Sequence, residues 1–254
     1  MAARIVITRP AHQADSLIEG IKAAGGDVIL FPTLDILAHT LEQEDKELIQ
    51  QINHYDIIIF ISPNAVEHGL TQIQAISTLP STAQLATIGQ SSAKSLFNRL
   101  GKQPDIVPTD NFNSEGLLET KALQDVSNKK ILIIRGDGGR EHLRQTLQQR
   151  GATVDYLSVY QRIKPASNNA ELEQHLQNNQ IAVIVITSAE GLKNLVEMIT
   201  EKMRKLLLQT PLLLINHRLV AVAKELGFKG DLFIATQASD DAIIKTLQHK
   251  KLLS

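Results

Sequence analysis

Short apolar runs alternate along this chain with longer stretches in which apolar residues recur at helical spacing. The runs are RIVIT, DVILF, DIIIFI, LATIG, DIVP, KILIIR, VDYLSVY, IAVIVIT, PLLLIN and DLFIA. Most show little polar alternation, so each predicts a strand buried on both faces, as in a parallel sheet covered by helices. Ten such strands fit two five-stranded α/β sheets better than one sheet.

An internal repeat points to two units. RIVITRPAHQADSLIEGIKAAGGDVILFP lies over ILIIRGDGGREHLRQTLQQRGATV, with Arg9 on Arg135, Leu17 on Leu143, Gly25 on Gly151 and Val28 on Val154, a constant interval of 126 residues (from 9 to 135, from 25 to 151). The interval recurs where FISPNAVEHGL meets VITSAEGLKNL, placing Ser62 on Ser188, and where Gly101 meets Gly227. A fixed offset through loops of unlike composition is a repeat signature. It leaves open whether each unit is a contiguous half or whether the first two strands join the last three around an inserted unit. In the second case PTLDILA (Pro32 to Ala38) and LSVYQRIKP (Leu157 to Pro165) are the connecting segments.

The chain has 254 residues, 43% apolar and 21% charged, with a formal net charge of −1. That balance gives no argument for a nucleic-acid or membrane partner. Cysteine is absent, which removes disulfides, thiolate catalysis and cysteine-ligated metals. No leader-like apolar core opens the chain, and no run approaches the ~20 residues of a membrane span. A cytoplasmic protein is expected.

The turns after the strands carry the candidate chemistry. GDGG after KILIIR has neither the Gly-Lys-Ser/Thr ending of a phosphate loop nor the dinucleotide glycine spacing. What the two repeats share is an arginine at a strand's carboxyl end, followed by the free N–H groups of a helix start, which suit carboxylates as well as phosphates. ISPNAVEHG offers Ser62 as a cap with Pro63 in the first turn, and TIGQSSAKS offers Gly89, Ser91 and Ser92. ITSAEG offers Thr187 and Ser188, INHRLV offers Asn216, His217 and Arg218, and PTDNFNSEG offers Thr109, Asn113 and Ser114. Each alone is an ordinary cap. Together they line the edge where open α/β sheets bind ligands. Arg9 and Arg135 have a plainer option, pairing with an acidic residue to lock their own turns. Asp137 reads as a solvated turn residue. No nucleophile elbow, HExxH pair or acidic metal motif is present.

ITRP, ISPNAV, IRGDGGRE, VYQR, ITSAEGL and AKELGF, in this order and spacing, resemble the uroporphyrinogen-III synthase family over nearly the whole chain. The resemblance implies two flavodoxin-like parallel-sheet α/β domains joined by a two-stranded linker. One would comprise residues 1–33 and 166–254 and the other residues 39–154, with linkers at 34–38 and 155–165. It implies a hydro-lyase that cyclises hydroxymethylbilane with inversion of ring D and loss of water, with no metal or organic cofactor, acting as a monomer. The eight substrate carboxylates then match the helix starts, and holding the two ends together is the main catalytic task.

By motif position the resemblance assigns substrate binding to Thr8, Arg9, Ser62, Ser92, Arg135, Gly136, Gly138, Arg140, Ser188 and Asn216. At Asn216 the chain departs from the family's glycine-containing turn. Tyr160 matches the tyrosine of the family's VYQ segment. A phenol is a neutral proton donor near neutral pH and could help the terminal hydroxyl leave. Strict alternation would put Tyr156, Ser158, Tyr160 and Arg162 on one strand face, where Tyr160 could instead serve packing. The rival function is a non-catalytic two-domain α/β binding protein for a small polyanion.

Overall fold

In the computed structural model, residues 4–139, 141–166 and 168–253 are described. The strands are β1 (Arg4–Ile7), β2 (Asp27–Leu30), β3 (Asp35–Ala38), β4 (Ile57–Phe60), β5 (Gln84–Thr87), β6 (Lys130–Gly136), β7 (Thr153–Ile163), β8 (Ile181–Ile186), β9 (Leu212–Leu214) and β10 (Leu232–Ile234). The helices are α1 (Asp15–Ala23), α2 (Gln43–Gln50), α3 (Pro63–Gln74), α4 (Gln90–Leu100), α5 (Ser114–Glu119), α6 (His142–Gln149), α7 (Ala170–Gln177), α8 (Ala189–Met198), α9 (Glu201–Leu207), α10 (Arg218–Glu225) and α11 (Asp240–His249). No described helix is long and apolar enough to cross a membrane.

The chain forms two compact units, 1–35 with 163–254, and 36–162. The first contains a sheet ordered β10-β9-β8-β1-β2, and the second a sheet ordered β3-β7-β6-β4-β5. Pairings β1–β2, β1–β8, β8–β9 and β9–β10 are parallel, as are β4–β5, β4–β6 and β6–β7. Each sheet takes the first strands of one repeat and the later strands of the other. Shifted by 126 residues, β2-β1-β8-β9 falls on β7-β6-β4-β5 in the same order. The repeat also recurs in backbone detail, since Gly25 and Gly151 adopt φ of 87° and 88°. Both sit just beyond a helix, where left-handed geometry favours glycine.

One expectation about strands changes. DIVP forms a single bridge, Ala86 with Ile106, rather than a strand. Pro104 and Pro108 flank it and lack the N–H a ladder needs. The N–H groups of Asp105 and Ile106 both reach the Leu85 carbonyl, and the Asp105 carboxylate takes the Leu85 N–H, so local bonds replace a ladder. DILA, in the two-stranded linker that the resemblance implies, forms β3 beside β7. Register in the sheets is set by alternation between two apolar layers. Ile58 and Phe60 pack towards α2, α3 and α4, while Ile57 and Ile59 pack towards α5 and α6. In the other unit Ile5 and Ile7 face α1 and α11, and Val6 faces the layer of α7 to α10. A one-residue slip would exchange the layers, which pins the strand ends where the turns begin.

Candidate active site

The sequence brings Ser62, Gly136 and Tyr160 together in the unit formed by residues 36–162. Ser62 is extended and caps α3, accepting the Ala65 N–H at 3.0 Å. Pro63 supplies the first helical position, where a missing N–H costs nothing. The same Ser62 Oγ stands 3.1 Å from the Tyr160 hydroxyl.

Tyr160 reaches that position through a bulge. Arg135 pairs with Ser158 but Gly136 pairs with Tyr160, so Val159 is the extra residue on β7. The strict alternation expected for this strand therefore fails. Tyr156 packs beside the α5–α6 layer, whereas Tyr160 turns into the opposite layer with Leu157 and Val159. Bulges re-aim side chains in this way and concentrate near functional sites. Tyr160 is 2% exposed, and its ring lies 5.8 Å from that of His68 between centroids. A Cβ added to Gly136 would meet ring atoms Cε2 and Cζ at 2.5 Å. Glycine at 136 thus makes room for the phenol.

Polar groups that no motif signalled hold the bulge. The Val159 carbonyl accepts the His39 N–H at 3.0 Å and Gln72 Nε2 at 3.2 Å. Gln72 Nε2 also donates to the His39 carbonyl at 2.9 Å. The Tyr160 carbonyl accepts the Asp137 N–H at 2.9 Å, and the Asp137 carboxylate meets His39 Nε2 at 2.8 Å. Asp137 therefore has a defined partner, although its side chain is half exposed. A glutamine inside a helix gives no sequence signal, because only the fold brings β3 and β7 against it.

Both arginines take internal acidic partners. Arg135, 5% exposed, pairs with Glu141 at 3.1 Å, and its guanidinium lies 4.4 Å from the Tyr156 ring centroid. Arg144 approaches that ring at 4.8 Å, and the Tyr156 hydroxyl donates to Glu141 at 3.1 Å. Burial, then the hydrogen bond to Glu141, holds the Tyr156 phenol above its ordinary value. A cavity of about 120 Å³ adjoins Arg135, Gly139 and Tyr156. Gly138 and Gly139 have φ of 68° and 102°, and a Cβ on Gly139 would press on the Arg135 guanidinium at 2.8 Å. Arg140 lies outside the described residues. Arg9 pairs with Asp240 at 2.5 Å, which ties its turn to α11.

The other sequence-derived positions have local tasks. The Thr8 hydroxyl is buried and donates to the Val185 carbonyl at 2.7 Å. Ser188 caps α8, accepting the Gly191 N–H at 2.9 Å. Asn216 Oδ1 accepts the N–H groups of Arg218 and Leu219 at 3.0 and 3.3 Å, so its side chain closes the start of α10. Ser92 is buried in the first turn of α4, whose N-cap Gly89 brings no side-chain bond. Phe112 covers that glycine: a Cβ there would sit 3.1 Å from the phenylalanine Cβ. Nearby, Thr109, Asn111, Gly116 and Lys121 line a cavity of about 450 Å³.

Parallel strands that end in hydroxyls, amides and helix starts define a class of α/β protein built to meet polar ligands at its sheet edges. A family model described as uroporphyrinogen-III synthase HemD matches residues 15–245. The chain is 32% identical to the uroporphyrinogen-III synthase of Salmonella typhimurium over 247 residues, covering 96% of this chain and 99% of that protein. It is 30% identical over 246 residues to that of Escherichia coli K12, with the same coverage. A mutant uroporphyrinogen III synthase from the extremely thermophilic bacterium Thermus thermophilus superposes with a TM-score of 0.64 at 17% identity, covering 98% of each chain. Uroporphyrinogen-III synthetase from Helicobacter pylori 26695 gives 0.61 at 15% identity, covering 98% of this chain and 100% of that one. The chain belongs to the uroporphyrinogen-III synthase family, and with it to the hydro-lyases of tetrapyrrole biosynthesis.

Proposed function

We propose that the chain acts, as a monomer, on hydroxymethylbilane, with Tyr160 assisting departure of the terminal hydroxyl and the strand-end turns holding the carboxylates. The observation that carries this reading is the placing of the Tyr160 hydroxyl at a helix start, 3.1 Å from Ser62, by a bulge and a facing glycine. Such fixing suits a group that must meet one oxygen of a flexible substrate. The phenol proton passes to the departing oxygen, which leaves as water with the C–O bond pair. Ring D attacks the cation left behind through its substituted carbon, the older C–C bond at that carbon breaks and re-forms at the neighbouring free position with ring D inverted, and the proton then lost from carbon returns to the tyrosinate.

Carboxylates would be held by N–H groups left over at helix starts. Gly89 at α4, Glu141 at α6 and Ala14 at α1 provide no side-chain cap, so more donors stay open there than at Ser62, Asn113 or Ser188. Arg135 and Arg9 act in this picture through the turns they brace, since each already has an acidic partner. The linkers are assigned to residues 34–38 and 155–165, between domains at 1–33 with 166–254 and at 39–154.

The test supplies enzymatically generated hydroxymethylbilane and measures product isomers. Excess type III isomer is expected. Type I isomer alone would leave a protein that binds without steering the closure.

A further inference from the structure

We infer that Ser62 is a positioning residue for Tyr160: its hydroxyl donates to the phenol oxygen, so that the phenol proton is kept for the ligand. The inference rests on the reading of Tyr160 as proton donor. It assigns Ser62 a task other than contact with a substrate carboxylate.

The protons at this pair can be counted. A serine hydroxyl has one proton and two lone pairs. One lone pair of Ser62 Oγ is taken by the Ala65 N–H at 3.0 Å. The 3.1 Å contact with Tyr160 then runs in one of two directions. If the phenol donates, its single proton points at Ser62 and Tyr160 can only accept from a ligand. If Ser62 donates, the phenol proton is free, and the serine dipole supports the charge that grows on the phenol oxygen as that proton departs.

The phenol ring is buried, with Gly136 against Cε2 and Cζ and the His68 ring 5.8 Å away between centroids. The other two tyrosines make the contrast. Tyr55 donates to Asp155 at 2.9 Å and Tyr156 donates to Glu141 at 3.1 Å, so carboxylates that only accept occupy their protons. Of the three hydroxyl partners, Asp155, Glu141 and Ser62, only Ser62 can also donate. Ser188 occupies the equivalent cap in the other repeat and meets no tyrosine hydroxyl.

The experiment measures kcat, KM and thermal unfolding for Ser62→Asp, Ser62→Gly and Ser62→Thr, each with and without Tyr160→Phe. Aspartate and glycine both serve as N-caps, so folding is preserved without the hydroxyl proton. Ser62→Asp should turn the phenol proton inward and lower kcat about as far as Tyr160→Phe, roughly 10²- to 10⁴-fold. Any repulsion of the substrate by the new charge appears in KM. Ser62→Gly should lower kcat roughly 10- to 100-fold, by loss of a bond to a charged group. Ser62→Thr should recover part of that loss. None of the three should lower kcat further once Tyr160→Phe is present. Losses that multiply across the two positions, or a Ser62→Asp enzyme with undiminished kcat, would overturn the assignment while leaving Tyr160 in place. Undiminished kcat in Tyr160→Phe would remove the proton-donor reading, and the role of Ser62 with it.

Discussion

Ser62 and Ser188 stand 126 positions apart and do the same local work, each accepting an N–H from the third residue onward in its helix, at 3.0 and 2.9 Å. Ser62 in addition meets a phenol, because the unit of residues 36–162 has a long β7 with a bulge at Val159. The turns after β1 and β6 diverge similarly. Arg135 pairs inside its own turn with Glu141 and stacks on Tyr156, whereas Arg9 reaches Asp240 at the opposite end of the chain. Gly136, against which the phenol lies, has Pro10 as its counterpart. Duplication therefore reproduces helix starts, which follow from local chain geometry. The proposed proton donor comes from what only one copy adds.

The largest effect that would break this contrast is on turnover. Tyr160→Phe should lower kcat by roughly 10²- to 10⁴-fold with a smaller change in KM, read by steady-state kinetics on freshly generated substrate. Second, Gly136→Ala should destabilise the unit by about 1–3 kcal/mol in urea unfolding, because the new methyl must displace the Tyr160 ring. It should also lower kcat, which separates it from an ordinary overpacked site. Third, Ser62→Ala and Ser188→Ala should each cost about 1 kcal/mol of stability, through the lost cap. Only the first should lower kcat, and equal kcat in both would dissolve the distinction between the units.

The smallest effect concerns acid stability. Asp27 is held below the ordinary carboxyl range chiefly by its hydrogen bond from Arg4, and Asp56 chiefly by the Lys130 N–H. A carboxyl lowered in the folded state stabilises above its unfolded value, ~3.9, and loses that contribution as pH falls through the lowered native value. The penalties of Asp27→Asn and Asp56→Asn, measured by urea unfolding across pH, should therefore shrink below about pH 4. Added salt should reduce the Asp27 penalty more than that of Asp56, since the chief bond of Asp27 is an exposed ion pair, whereas that of Asp56 is to a backbone N–H, with its Lys129 ion pair second.

Much of this was legible before any coordinates. Apolar runs located nine of the ten strands, and the repeat interval paired turns that do share geometry, down to Gly25 and Gly151. DIVP forms no strand because its prolines deny it a ladder. The face of Tyr160 departs from strict alternation because a bulge leaves no mark in composition. Gln72 carries no motif because its partners are backbone carbonyls, which every residue has, and His39 carries none because only the fold brings it to Asp137.

The sequence by itself determined the α/β class, the strand-end turns with their caps, and family membership, because these depend on short-range periodicity and on residue types at fixed spacing. Tertiary structure alone decided the order of strands within each sheet, that Arg9 and Arg135 are bound internally, and that the Tyr160 hydroxyl meets Ser62. Those depend on contacts between residues up to 231 positions apart, and on one extra residue in a strand. Neither leaves a local signature, since the free energy that selects them belongs to the packed layers as a whole.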